Sequence, residues 1–228
     1  MGASAAVVVG GGPVNGPTET YDLVITADSG LDVALAAGFA PTHLVGDLDS
    51  ISPAGRAWAV EHGIVVETHP ADKDATDTAL ALAAAVRLGA TRLTLHGNTG
   101  VARLDHLLGT LAALGHPSLW PMESVRARFD GSLVHVVHPG RSVALSLERG
   151  AVFSLLALHG PCEEVDVRGA RWPLHGAVLH GSSTRGISNE ALDPEVVVSV
   201  GRGVLTVVVP TTTPTPTTPT PDLPEEHR

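Results

Sequence analysis

The chain has 228 residues, 43% of them hydrophobic and 3% aromatic, with a formal net charge of -10. That length and apolar content allow one large domain or two small ones, with Ala, Val and Leu filling most of the core. The acidic balance speaks against a nucleic-acid partner, which needs a basic face, and leaves open a nucleotide bridged to carboxylates by metal ions. Cys162 is the one cysteine, so no intrachain disulfide can form and a reducing compartment is expected. The opening residues Met1 to Ala6 carry no basic stretch, and the longest apolar runs are too short to span a bilayer. A cytoplasmic protein without a membrane partner is therefore expected.

The first half alternates strand-like and helix-like patterns. Ala5 to Val9 is a β-branched run that ends in three glycines, and Leu23 to Thr26 is a second strand candidate. Leu31 to Ala37 reads as a helix stopped at Gly38, and His43 to Val45 as a third strand. Pro53 to His62 is a helix closed by Gly63, and Ile64 to Glu67 a fourth strand. Thr76 to Leu88, rich in Ala and Leu, is a helix closed by Gly89. Arg92 to His96 is a fifth strand, and Asp105 to Leu114 a further helix. This rhythm predicts a doubly wound, mostly parallel α/β sheet.

After Pro117 to Glu123 the helical period disappears. Short alternating runs follow at Val125 to Phe129, Leu133 to Val137, Val143 to Leu147, Val152 to Leu158, Glu164 to Val167, Ala177 to His180, Val196 to Val200 and Val204 to Val209. Many short strands at this spacing predict an antiparallel β-sandwich. The expected division is an α/β domain over 1–122, a β-sandwich over 123–209 and a disordered tail over 210–228. From Pro210 to Pro221 the tail is Pro and Thr alone apart from nothing else, a composition that cannot bury a core.

Four acidic or glycine-bearing motifs stand at strand ends in the first half. They are Ala27 to Gly30 (ADSG), Gly46 to Ser50 (GDLDS), Lys73 to Asp77 (KDATD) and Gly97 to His106 (GNTGVARLDH). Carboxylates at the C-terminal ends of parallel strands sit where open α/β sheets bind ligands. Several on one crevice repel one another unless a cation neutralises them, and hard oxygen ligands suit Mg²⁺ bound together with a polyphosphate. A plainer reading is open for each motif. Asp47, Asp49 and Ser50 can make Asx turns and cap the helix at Pro53. Asp74 can be the N-cap of the next helix, with Asp77 at N3. Lys73 can pair with a phosphate or be a solvated lysine. The Gly97 loop can approach a phosphate closely, with Arg103 as a bidentate partner and Asp105 as a metal ligand or cap. His106 is a candidate base, or a group that hydrogen-bonds the loop into shape. In the second half, the polar loop Gly181 to Glu190 carries Ser188 and Asn189, and Trp172 stands in a polar turn where it can stack on a cation.

Taken in order, these motifs, with Trp172 to Leu174 and Ser188 to Glu190, resemble those of the thiamine pyrophosphokinase (thiamine diphosphokinase) family, over about residues 5–209. The resemblance implies Mg²⁺-dependent transfer of a diphosphoryl group from ATP to the hydroxyl of thiamine, giving thiamine diphosphate and AMP. It implies a homodimer with each site shared between subunits. It also implies that Asp47, Asp49 and Asp74 hold the metal, that these three with Asp77 and Arg103 are the catalytic residues, and that Asp28, Gly30, Gly97, Gly100, Arg103 and Asp105 serve the nucleotide. Trp172, Ser188 and Asn189 would bind thiamine. The chain departs from the family pattern at Ser29, Asp32 and Thr110, which lie near the expected nucleotide. Two other readings stand beside this one: a diphosphokinase for another heterocyclic alcohol such as a pterin, and a nucleotide- or thiamine-binding sensor without catalysis.

Overall fold

The computed structural model describes residues 2–100 and 103–210. The expected tail from 211 onward, and Val101 and Ala102 of the glycine loop, lie outside the described residues. The first half runs β1 (Ala3–Val9), β2 (Leu23–Ala27), α1 (Gly30–Ala36), β3 (His43–Gly46), α2 (Pro53–Glu61), β4 (Val65–Thr68), α3 (Asp77–Arg87), β5 (Ala90–Gly97) and α4 (Leu104–Leu114). The run of Ala and Val in β1 is buried on both faces from Ala5 to Val9. Such continuous burial is what helices on both sides of a parallel sheet demand. Ala6 and Val8 of β1 pack with Ala34 of α1 and with Phe39. Ala5, Val7 and Val9 face the other way, onto Ala81, Leu82 and Ala85 of α3 and Leu114 of α4.

The parallel strands lie in the order β5-β1-β2-β3-β4. The chain therefore builds outward from β1 to β4, then returns to the other side of β1 as β5. The crevice at such a reversal, beyond the C-terminal strand ends, is where open sheets bind ligands.

The second half adds β6 (Ser124–Phe129), β7 (Ser132–Val137), β8 (Arg141–Ser146), β9 (Val152–Leu156), β10 (Cys162–Arg168), β11 (Leu174–Leu179), β12 (Asn189–Glu190), β13 (Glu195–Val200) and β14 (Leu205–Pro210). The first of these, β6, pairs in parallel with β5, and β7 pairs antiparallel with β6. The parallel sheet thus continues without a break into β7, β14, β9 and β12, ten strands in all. A second sheet, in the order β11-β10-β13-β8, packs on the far half of the first. Phe153, Val165, Val198 and Val207 are fully buried between the two. The result is an α/β layer joined to an antiparallel sandwich through one sheet, and no helix among the described residues is long and apolar enough to cross a membrane. The strand that sequence alone left inside a loop is β12, only two residues long. Pro210, expected in the tail, closes β14 opposite Ser132.

Candidate active site

A cleft of about 490 Å³ opens at the C-terminal ends of β1, β2, β3 and β5, between the starts of α3 and α4. Val9 at the end of β1, Gly10 and Gly11 after it, Asp28 and Ser29 after β2, and Asp47 and Ser50 after β3 line it. So do Lys73, Thr76 and Asp77 at the start of α3, Asn98 after β5, and Arg103, His106 and Thr110 from the α4 region.

Sheet register assembles the acids. Ala27 of β2 pairs with Val45 of β3, so Asp28 and the Gly46-Asp47 turn leave the sheet side by side. One carboxylate oxygen each from Asp28, Asp47 and Asp49 lies within 4.8 Å of the others. Asp28 sits in the left-handed region at φ 47, is 9% exposed, and its Oδ1 is buried with no hydrogen-bond partner. Carboxylates gathered this closely repel one another unless a cation neutralises them. Gly46 makes the approach possible, since a Cβ there would stand 3.1 Å from both Asp28 Cβ and Asp77 Oδ1.

Asp47 is tied twice. Its Oδ1 accepts from Asp49 N at 3.2 Å, the expected Asx turn, and its Oδ2 accepts from Lys73 Nζ at 3.0 Å. The Lys73 bond, ahead of the Asp49 amide, holds the Asp47 carboxyl below its usual range. Lys73 also stands 3.0 Å from Asp77 Oδ1. Burial pulls its own pKa down, yet the contacts with Asp77 and Asp47 outweigh this and hold it above the ordinary value. Lys73 is thus neither a freely solvated lysine nor an unpaired one; it is a cation clamped between two aspartates of the cleft.

The start of α3 differs from expectation. Thr76, not Asp74, is the N-cap, its hydroxyl accepting from Ala79 N at 3.2 Å, and Asp77 is the first helical residue rather than N3. Asp74, like Asp49, is exposed and outside the cleft lining, but unlike Asp49 it lies outside the three-carboxylate cluster. Ala75, Thr76, Asp77 and Thr78 of this helix start line the cleft.

Beyond β5, Gly97 is buried against the Phe129 ring, and Gly100 N donates to Asn98 Oδ1 at 2.6 Å. The loop is held from outside by Asp130, a residue sequence reading did not single out. Asp130 accepts from Asn98 Nδ2 at 2.8 Å, from Thr99 N at 2.9 Å and from the Thr99 hydroxyl. Its only sequence signal is the Asp130-Gly131 turn between two strands. Arg103 faces the cleft but is engaged by Asp105 through two bonds of 2.9 and 2.6 Å. That contact draws the Asp105 carboxyl down to about 2. Asp105 therefore does not cap α4; Arg103 occupies the N-cap position without a side-chain cap. His106 lines the cleft and makes no side-chain hydrogen bond among the described residues, so it does not shape the loop that way.

Gly30 is absent from the cleft lining. A Cβ there would lie 2.3 Å from Val8 O, so its role is to let α1 press against the β1 backbone. Of the three departures, Ser29 and Thr110 line the cleft, while Asp32 does not. Asp32 accepts from Ser52 N at 2.9 Å and Ser52 Oγ at 2.6 Å, and Ser52 in turn caps α2 by accepting from Gly55 N. It is a tie between helices and not a nucleotide contact.

The candidate thiamine residues gather elsewhere, at the β12 edge. Asn189 is 5% exposed. Its Oδ1 accepts from Trp172 N and Glu190 N, and its Nδ2 donates to Trp172 O. Asn189 thus fixes the backbone of Trp172, a residue 52% exposed. The Arg171 guanidinium lies 5.0 Å from the ring centroid, anchored by Glu190 at 2.9 Å. Ser188 holds φ 58, and its N–H donates to Ser154 Oγ.

Comparison with known proteins matches both halves. The family model described as thiamin pyrophosphokinase, catalytic domain, fits residues 17–132, and that of the thiamin pyrophosphokinase vitamin B1 binding domain fits residues 135–205. Thiamine pyrophosphokinase of Bacillus subtilis (strain 168) is 28% identical over 207 residues, 88% of this chain and 96% of that protein. The crystal structure of a thiamin pyrophosphokinase family protein from Enterococcus faecalis aligns at TM-score 0.76 and 26% identity, covering 92% of this chain and 100% of that one. Thiamin pyrophosphokinase from Candida albicans aligns at TM-score 0.72 over 91% of this chain and 89% of that one, a likeness of fold at 12% identity.

Proposed function

The chain belongs to the thiamin pyrophosphokinase family, and from that premise we propose that it transfers a diphosphoryl group from ATP to the hydroxyethyl oxygen of thiamine, releasing AMP. The observation that carries this reading is the cluster of Asp28, Asp47 and Asp49 at the sheet reversal, with a buried carboxylate oxygen left open. These three fit Mg²⁺, and Asp28 supplies the place that the resemblance gave to the exposed Asp74. Bound there, Mg²⁺ would offset the charge of the polyphosphate.

The protein's own groups have separate tasks. Lys73 keeps Asp47 ionised and limits the repulsion between Asp47 and Asp77. The α3 amides and the Gly97-Gly100 loop offer donors to phosphate oxygens. Arg103 reaches a phosphate by exchanging its exposed partner Asp105, an inexpensive exchange because surface ion pairs are weak. In-line placement of the alcohol against the β-phosphorus is the rest of the chemistry.

Thiamine, in this reading, stacks on Trp172. Arg171 covers one face of that ring, so the other face takes the cationic heterocycle. The position of Trp172 supports a homodimer with shared sites. Five strand spacings separate β12 from β5, about 24 Å at about 4.8 Å each, too far for thiamine on Trp172 to reach the acids of the same chain.

The deciding experiment is AMP release from ATP and Mg²⁺, with and without thiamine, for the wild type and Asp49→Ala. Thiamine-dependent release that collapses in the variant is expected. Release without thiamine, or none from folded wild-type protein, would point to another acceptor or to binding without transfer.

A further inference from the structure

The face of the large sheet opposite the cleft carries two arginines that the reaction does not use. In β6, Val125, Ala127 and Phe129 point into the α3 side of the core, so Arg126 and Arg128 stand on the other face. Two residues apart on one strand, their Cα atoms are about 6.6 Å from each other. Register sets His96 of β5 beside Arg128, and His135 of β7 beside Arg126.

The charges on this face do not balance. Arg126 donates to Glu19 Oε1 at 2.7 Å, and the Tyr21 hydroxyl, 3.1 Å from the same oxygen, lies 3.0 Å from His96 Nε2. Arg128 makes no side-chain hydrogen bond or ion pair among the described residues. Nε of Arg126 and Nε of Arg128 are both buried without a partner. Burial, then the neighbouring arginines, pushes both His96 and His135 down to about 4, so neither competes for an anion nor adds charge of its own at neutral pH. A buried N–H with no acceptor is a cost that folded proteins seldom leave standing. Among the described residues, Glu19 is the only carboxylate that forms an ion pair with either arginine.

We propose that Arg126 and Arg128 form a second anion site that takes a phosphate group, back to back with the catalytic cleft. The guanidinium fork matches phosphate oxygens bidentately, which an ammonium cannot do. Two forks at this spacing bracket one phosphate or the two phosphorus centres of a diphosphate. The site adjoins the cleft through the strand itself. Phe129, the next residue, lines the cleft, and Asp130 holds the glycine loop.

The test uses the full chain in EDTA, where the metal-free acid cleft repels anions. Inorganic phosphate, inorganic diphosphate and AMP are titrated in turn by calorimetry, and the arginine Nε–Hε resonances are followed by NMR. Diphosphate is expected to bind and to shift the resonances of Arg126 and Arg128. Arg128→Gln should weaken binding about 10-fold or more. AMP moving the same resonances would make a nucleotide phosphate the occupant, and response to phosphate and diphosphate alone would make it the free anion. No heat and no shift in the wild type, which needs no variant to fold, overturns the proposal. So does undiminished binding by Arg128→Gln.

Discussion

Replacing Asp28 by Asn should make the metal-free protein more stable while removing its response to Mg²⁺. Asp28 is 9% exposed, its Oδ1 has no partner, and it faces Asp47 and Asp49 within 4.8 Å. An unsatisfied buried group costs about 1–3 kcal/mol, and a charged one among like charges lies at the upper end. Asn has nearly the same shape, carries no charge, and can donate to the carboxylates beside it. For a domain of this size about 1 kcal/mol moves Tm by about 2–4 °C, so a rise of about 2–12 °C in EDTA is expected. In the wild type, Mg²⁺ at a hundred times its Kd would add about 2.7 kcal/mol. The variant, with one of three ligands neutralised, should lose at least about tenfold in affinity and most of that gain. Thermal denaturation with EDTA and then with rising Mg²⁺ reads both effects, and diphosphoryl transfer should fall in parallel. A variant less stable than wild type in EDTA, or one that Mg²⁺ stabilises as well as wild type, would refute the assignment of Asp28 to the metal.

Gly30→Ala should lower Tm by about 2–12 °C, because a Cβ 2.3 Å from Val8 O can be relieved only by lifting α1 from β1, an overpacking cost of about 1–3 kcal/mol; unchanged Tm with weakened ATP binding would restore Gly30 to the nucleotide. Stability should fall as pH drops from about 6.5 toward 4. His96 and His135 titrate near 4 in the fold, so over that window the unfolded chain holds more protons, and their contribution is complete above 6.5. Urea denaturation across that range should show a shallower pH slope for His96→Gln, and an unaltered slope would refute the contribution of His96. Mixing Asp49→Ala with Trp172→Ala, each inactive, should restore up to about a quarter of wild-type activity after subunit exchange, as expected when half the dimers are mixed and each has one intact site; no restoration after proven exchange would rule out shared sites.

Most strands were legible because each is a short apolar run stopped by Gly or Asp, and the observed ends fall close to the expected ones. Local pattern failed where two residues compete for one task. Asp74 and Thr76 both suit an N-cap, and the sequence spacing from Asp74 to Asp77 imitates a capping box. The chain closes its helix on Thr76, and Asp74 is left outside. Nor does a sequence state which aspartates meet. Asp28 joins Asp47 and Asp49 because Ala27 pairs with Val45, a register between segments well separated in the chain. Strand β6 shows the same limit. Its alternating burial is what an antiparallel sandwich strand would show, yet it pairs in parallel with β5 and carries the first sheet into the second half. Asp32 read as a departure from the family pattern near the nucleotide, whereas both of its oxygens are used by Ser52.

That continuous sheet bears on how the substrates meet. Many phosphoryl-transfer enzymes bring distant binding residues together by closing one domain on another through a hinge. Here the cleft opens on the ten-stranded sheet, and the Trp172 loop, which joins β10 and β11 of the second sheet, is hydrogen-bonded to β12 at the far edge of the first. Between them β6 pairs with β7 through five residue pairs, and β7 with β14 through six. Closing the gap by bending would break these ladders and expose the Val-rich core beneath them, in which Val134, Val136 and Val207 are at most 6% exposed. Broken buried hydrogen bonds cost about 1–3 kcal/mol each, more in sum than substrate binding commonly returns. A second copy of the chain can bring its Trp172 to the cleft without breaking either ladder. The rigidity that holds Asp28, Asp47 and Asp49 in place is therefore also the reason for expecting the thiamine residues to come from the partner.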